Sequence, residues 1–108
     1  MPAPAVTLID SGGFPASASA TAVVAAGVGT TVIKAGAGRL WRVTVTGAAP
    51  TGALTFYDNA TTGSGTVLAV IPASGVTSGQ TFDIQMPAAN GITAVGSTGS
   101  AAVTVSYS

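Results

Sequence analysis

The chain has 108 residues, and only Asp10, Lys34, Arg39, Arg42, Asp58 and Asp83 are charged, 6% of the sequence where an ordinary soluble domain carries about 25%. The length fits one domain, which buries roughly two-thirds of the surface its unfolded chain exposes. The formal net charge is zero and Cys, His and Glu are absent, which excludes disulfide staples, thiolate metal sites and the clustered basic footprint of a nucleic-acid binder.

Residues 1–29 are rich in Ala, Ser, Pro and Gly and show little alternation. They are expected to form an extended N-terminal arm, with Val6, Leu8, Phe14, Val23 and Val24 as its partner-binding side chains. The Val23-Val24 pair and the Val6–Leu8 stretch suit short strands added to a sheet edge, in the same subunit or in a neighbour. Met1-Pro2-Ala3-Pro4 has no basic region, and the apolar run over 22–28 falls far below the roughly 20 residues that span a bilayer. Neither a cleavable export signal nor a membrane contact is therefore expected.

From residue 30 onward, short runs rich in β-branched residues recur between turn clusters. They predict strands over 30–35, 39–46, 53–59, 66–71, 80–86, 92–95 and 101–107. Gly36-Ala37-Gly38, Gly63-Ser64-Gly65 and Pro72–Gly75 are among the turns that separate them. No segment sustains a 3.6-residue period, so the spacing predicts an all-β domain over 30–108, a single β-sandwich of jelly-roll or immunoglobulin-like type.

Residues 39–59, RLWRVTVTGAAPTGALTFYDN, carry the clearest period of two and read as a β-hairpin whose arms flank the Gly47–Gly52 reversal. Alternation places Trp41, Val43 and Val45 on one face of the first arm, and Leu40, Arg42, Thr44 and Thr46 on the other. Leu54 and Phe56 oppose Thr55 and Tyr57 in the second. The expected core adds Val32, Val67, Ala69, Ile71, Phe82, Ile84, Met86, Ile92, Val103, Val105 and Tyr107. Strand 66–71 is apolar on both faces. Its second set, Leu68 and Val70, requires cover from the arm or from another subunit, and Tyr57, an exposed aromatic, marks an interface.

Catalytic chemistry finds little support. Asp58 and Asp83 each end an alternating run, but nothing in the sequence places them together as a hydrolytic pair. Asp58-Asn59 lacks the dense, spaced oxygens of a calcium loop and reads as a turn. Serine is plentiful without a His to activate it, and the only Lys lies in a strand. Arg39 and Arg42 are placed to pair with Asp58 across the hairpin. No enzyme activity, cofactor, metal or small-molecule substrate is expected.

The run Ile33–Val45, then Gly52–Asn59 ending in Leu-Thr-Phe-Tyr-Asp-Asn, then Ser64–Val67, and finally Gly91-Ile92-Thr93 leading to Val103–Tyr107, resembles the head decoration, or cement, proteins of tailed bacteriophages. The resemblance covers about residues 30–108, and its motifs are structural. It implies a protein that binds the outer surface of the capsid lattice, with the major capsid protein as partner, often as a homotrimer at three-fold positions. Made in the bacterial cytoplasm, it would reside on the virion and stabilise the head. Related modules occur in fibres, spikes and tails, so a receptor- or carbohydrate-binding knob is the alternative.

Overall fold

A computed structural model describes residues 20–27, 29–47 and 51–108. These form an all-β domain of eight strands: β1 (Ala20–Val24), β2 (Thr30–Lys34), β3 (Gly38–Gly47), β4 (Leu54–Asp58), β5 (Thr66–Ile71), β6 (Thr81–Ala88), β7 (Ile92–Gly96) and β8 (Ala102–Tyr107). The seven strands expected from alternation are all present, with ends displaced by no more than two residues. The eighth, β1, comes from the stretch assigned to the arm. It pairs antiparallel with β8 of the same chain, so residues 20–24 belong to the sandwich.

The strands form two four-stranded sheets, ordered β1-β8-β3-β6 and β2-β7-β4-β5. All ladders are antiparallel, and four of them join β1 to β8, β2 to β7, β3 to β6 and β4 to β5. The chain is thus one long antiparallel ribbon with the β4–β5 reversal at its tip, rolled so that β3 meets β8 and β4 meets β7. This order decides between the two expected topologies: it is a jelly roll, not the seven- or nine-strand immunoglobulin arrangement.

The hairpin expected over 39–59 does not form. Strands β3 and β4 lie in opposite sheets. Alternation reports which face of a strand is buried, and β3 and β4 do both bury one face. It does not report whether two such strands are neighbours in a sheet or face each other across the core. The connection over 48–53 exceeds the two to five residues of common hairpin loops. Among the described strands, the only sequence neighbours that pair are β4 and β5.

The core is built from Val43, Val45, Val103 and Val105 of one sheet against Leu54, Phe56, Ile71 and Ile92 of the other, all essentially inaccessible. Two departures from simple alternation reshape it. The register of β3 shifts between Leu40 and Arg42 against both neighbours, a bulge at Trp41 that turns Leu40 inward beside Val43. Leu40 is fully buried. Trp41 lies partly exposed instead, its indole N–H donating to Ser108 Oγ at 3.2 Å, which corrects the core assignment of Trp41. Val32, Val67 and Met86, also expected inside, are exposed. Val76, from the connection over 72–80, is buried and joins the core. Phe82, Ile84, Ala69 and Tyr107 pack against the core while partly accessible.

Full burial of a Leu side chain is worth roughly 1.5–3 kcal/mol, and truncating it leaves a cavity besides. Leu40→Ala is therefore expected to lower unfolding stability by about 2–5 kcal/mol. Trp41→Phe, which loses one half-exposed hydrogen bond, should cost about 1 kcal/mol. Denaturant titrations followed by circular dichroism check the ranking; a larger loss for Trp41→Phe would contradict the bulge.

Candidate interaction surface

The two outer faces of the sandwich differ in chemistry. On the sheet containing β3, cross-strand rows place Thr104, Thr44 and Thr81 side by side, with Ser106, Arg42 and Asp83 in the next row. The Thr44 and Thr81 hydroxyls are 3.2 Å apart, and Arg42 Nε donates to Asp83 Oδ1 at 2.7 Å. Both members of that ion pair are well exposed, so it contributes little to stability. It also replaces the pairing with Asp58 expected from sequence, because Arg42 and Asp58 sit in different sheets.

The outer face of the second sheet carries no charge in its two central rows. One row runs Val32, Thr93, Tyr57, Val67 and the other Thr30, Val95, Thr55, Val70. Val32, Val67 and Val70 are 44%, 47% and 53% exposed. The middle of the face is covered by the β4–β5 connection, residues 59–65. Asn59 organises that turn: its Oδ1 accepts the N–H groups of Thr61 and Thr62 at 2.9 and 2.8 Å, and its Nδ2 donates to the Ser64 carbonyl at 3.2 Å. The turn is anchored by Thr93 Oγ1, which donates to the Asn59 carbonyl at 2.7 Å. Gly63 lies so close to the Val95 and Tyr57 side chains that a Cβ there would run into Val95. Only Gly lets the turn seat this tightly.

These positions sort the expected partner-binding residues. Val6, Leu8 and Phe14 lie outside the described residues. Val23 is 73% exposed on the edge strand β1, as a contact residue requires. Val24 is not available: it faces inward opposite Val103 and is buried in the core. Val70 is on the surface, opposite Thr55. Leu68, expected on the same outer face, is buried. The register of β5 shifts opposite Phe56 and Tyr57, so Leu68 is an extra, bulged residue that turns inward beside Ala69, and Val67 turns out. Tyr57 is on the outer face but half covered by the turn at Gly63.

A feature the alternation concealed is the pair Arg39 and Trp41. The bulge brings both to the surface at one end of β3, with Arg39 Cζ 5.6 Å from the indole centroid and Arg39 Nη1 donating to the Gln85 carbonyl at 3.1 Å. Gln85 has a positive φ of 53° in the matching irregularity of β6. The signal available in sequence was the proximity of the only Trp to two Arg residues.

The two carboxylates lie in different sheets and are engaged separately. Asp83 is held by Arg42, and Asp58 is a structural clamp on the β6–β7 connection. Its carboxylate accepts the backbone N–H groups of Ala89, Asn90 and Gly91 at 3.0, 2.8 and 3.3 Å. Gly91 is itself wedged against backbone atoms of Lys34, Asn59 and Ala60, so the clamp fixes one end of the second sheet. Among the described residues no three His, Cys, Asp or Glu side chains come together as a metal site. Comparisons with protein-family models, with curated proteins and with solved structures find no match to this chain.

Burial pushes the Asp58 carboxyl up, but the three N–H donors outweigh it and hold it below the ordinary carboxylate value. A lowered folded-state value means that the clamp contributes stability above the unfolded value, near ~3.9, and loses it as pH falls through the folded one. Asp58→Asn is expected to lower stability near neutral pH by about 1 kcal/mol, a figure reduced for solvent exposure. Thermal unfolding between pH 2 and 7 checks the sign: the two melting curves should converge at the acid end, and a constant gap would refute the clamp.

Proposed function

We propose that this chain is a non-enzymatic structural component of a bacteriophage virion that decorates the outer surface of the capsid lattice and stabilises the head. The observation that carries this reading is the outer face of the second sheet, where Val32, Val67 and Val70 stand exposed in rows without charge. A freely dispersed domain normally intersperses charge over such a surface, whereas a face covered by a partner need not. The jelly-roll topology adds support by fold analogy alone, since viral capsid domains are among its users. The resemblance of residues 30–108 to phage cement proteins points the same way and suggests three-fold seating on the major capsid protein.

Decoration of this kind works by mass action. Each bound copy bridges neighbouring shell subunits, and anything that binds the assembled state but not its separated parts stabilises the former. The contact is short-range and apolar, because the charges are few and Arg42 with Asp83, and Asp58 with backbone N–H groups, are already engaged. A fibre or tail knob binding a receptor or glycan would rely on an open aromatic platform at Tyr57. That ring is partly covered by the turn at Gly63, which favours the cement reading.

The test is the copy number of this chain per purified particle, by quantitative mass spectrometry against the major capsid subunit. A ratio near that of the shell protein is expected; a handful of copies would overturn the assignment to the lattice. Attachment should persist at about 1 M salt, where the screening length falls to roughly 3 Å. Val32→Glu should weaken rebinding to stripped particles by about tenfold or more, a cost of roughly 1.4 kcal/mol. A deletion testing the arm should end at residue 19, because β1 is a strand of the sandwich; the shortened chain should stay folded and bind less tightly.

A further inference from the structure

We propose that two copies of this chain associate through the free edges of their β5 strands, antiparallel about a two-fold axis, to make one continuous sheet. The proposal does not rest on the capsid reading.

The sandwich has four edge strands, β1, β6, β2 and β5. Natural sheets protect their edges with charge, Pro, bulges or short length, because an open edge is a template for another strand. β6 carries Asp83, Pro87 and the irregularity at Gln85. β2 carries Lys34 and a register break before it. β1 is only five residues long. β5 reads Thr-Val-Leu-Ala-Val-Ile, with neither charge nor Pro. Among the described residues its ladder partner is β4, and no turn or loop backbone bond reaches it.

The bulge at Leu68, which protects some edges by twisting them, here makes this edge self-complementary. In a regular strand Val67 and Val70, three residues apart, would point to opposite faces. The extra residue brings both to the outer face, opposite Tyr57 and Thr55, while Leu68 and Ala69 between them face inward. The order along the strand is out, in, in, out. An antiparallel copy centred between Leu68 and Ala69 then sets Val67 against the partner's Val70 and Leu68 against the partner's Ala69. Every pair lies on one face, as cross-strand pairing requires. The exposed valines, 47% and 53% accessible, then stand side by side across the joint on the outer face. No charge on either strand opposes the approach. The contact is two-fold, so within a lattice it would join copies that belong to neighbouring three-fold positions.

The native chain has no Cys, which allows a register test with single introduced thiols. Val67→Cys and Val70→Cys chains, mixed under mild oxidation, are expected to cross-link to each other about tenfold faster than either does alone. Identical positions lie roughly 10 Å apart along the pairing, beyond disulfide reach. Sedimentation of the native chain at about 50 μM should give the dimer mass. Val70→Lys, which alters an exposed side chain, should give the monomer mass with the native circular dichroism spectrum at about 25 °C, and its melt should lose the concentration dependence that a dimer imposes. A native monomer at that concentration, equal cross-linking of the mixed and unmixed variants, or a Val70→Lys dimer would each overturn the proposal. All three measurements use the free chain, so their failure leaves the particle copy number to judge the capsid reading.

Discussion

The fold depends on pairing the beginning of the described chain with its end. β1 lies against β8, β2 against β7 and β3 against β6, so most ladders close loops of many residues, and only the β4–β5 reversal is local. Each closure costs chain entropy before its hydrogen bonds and buried faces repay it. The return comes when the ribbon rolls and both sheets bury one face at once: Val43, Val45, Val103 and Val105 have no apolar cover until Leu54, Phe56, Ile71 and Ile92 arrive from the other sheet. Such a topology folds cooperatively and slowly relative to a helical domain of its size. It also explains why the connections carry structure. Asp58 clamps the β6–β7 connection, Asn59 shapes the β4–β5 turn, and Val76 adds a buried side chain to the core.

The strands themselves were legible in the sequence, because a period of two bounded by Gly, Pro and Asn turns is a local signal. Strand order was not, since pairing is a property of the whole ribbon. The apparent 39–59 hairpin shows the difference: both arms were read correctly as strands, and their partnership was not. Face assignments held at Val43, Val45, Leu54 and Phe56, where strands ran regularly, and most of the failures fall at bulges. One inserted residue reverses the sense of every alternation beyond it. Leu40 and Trp41 exchanged places on that account, and so did Val67 and Leu68. Nothing local announces a bulge in a stretch of uniformly apolar or uniformly alternating residues.

The candidate surface was legible only in outline. Scarcity of charge raised the expectation of contact with other protein, and Val70, Val23 and Tyr57 were assigned to such contacts. The residues that complete the surface, Val32 and Val67, were hidden because a valine in a strand is assigned to the core by default. Trp41 with Arg39 was hidden for the same reason, a large apolar ring being counted as core until its strand is seen to bulge.

Bulges therefore do more here than perturb a regular pattern. At Trp41 the insertion carries the only indole out of the core and sets it beside Arg39, while Leu40 takes its place inside. At Leu68 the insertion does the reverse: it draws a leucine inward and leaves two valines outward on the same edge. In both cases the core keeps its aliphatic packing and the surface acquires large apolar or aromatic groups at a strand margin. With so few charges on the chain, long-range fields can neither steer nor repel a partner strongly. The selectivity of any contact this surface makes rests on shape, strand register and the placement of those few apolar groups, and the two bulges set that placement.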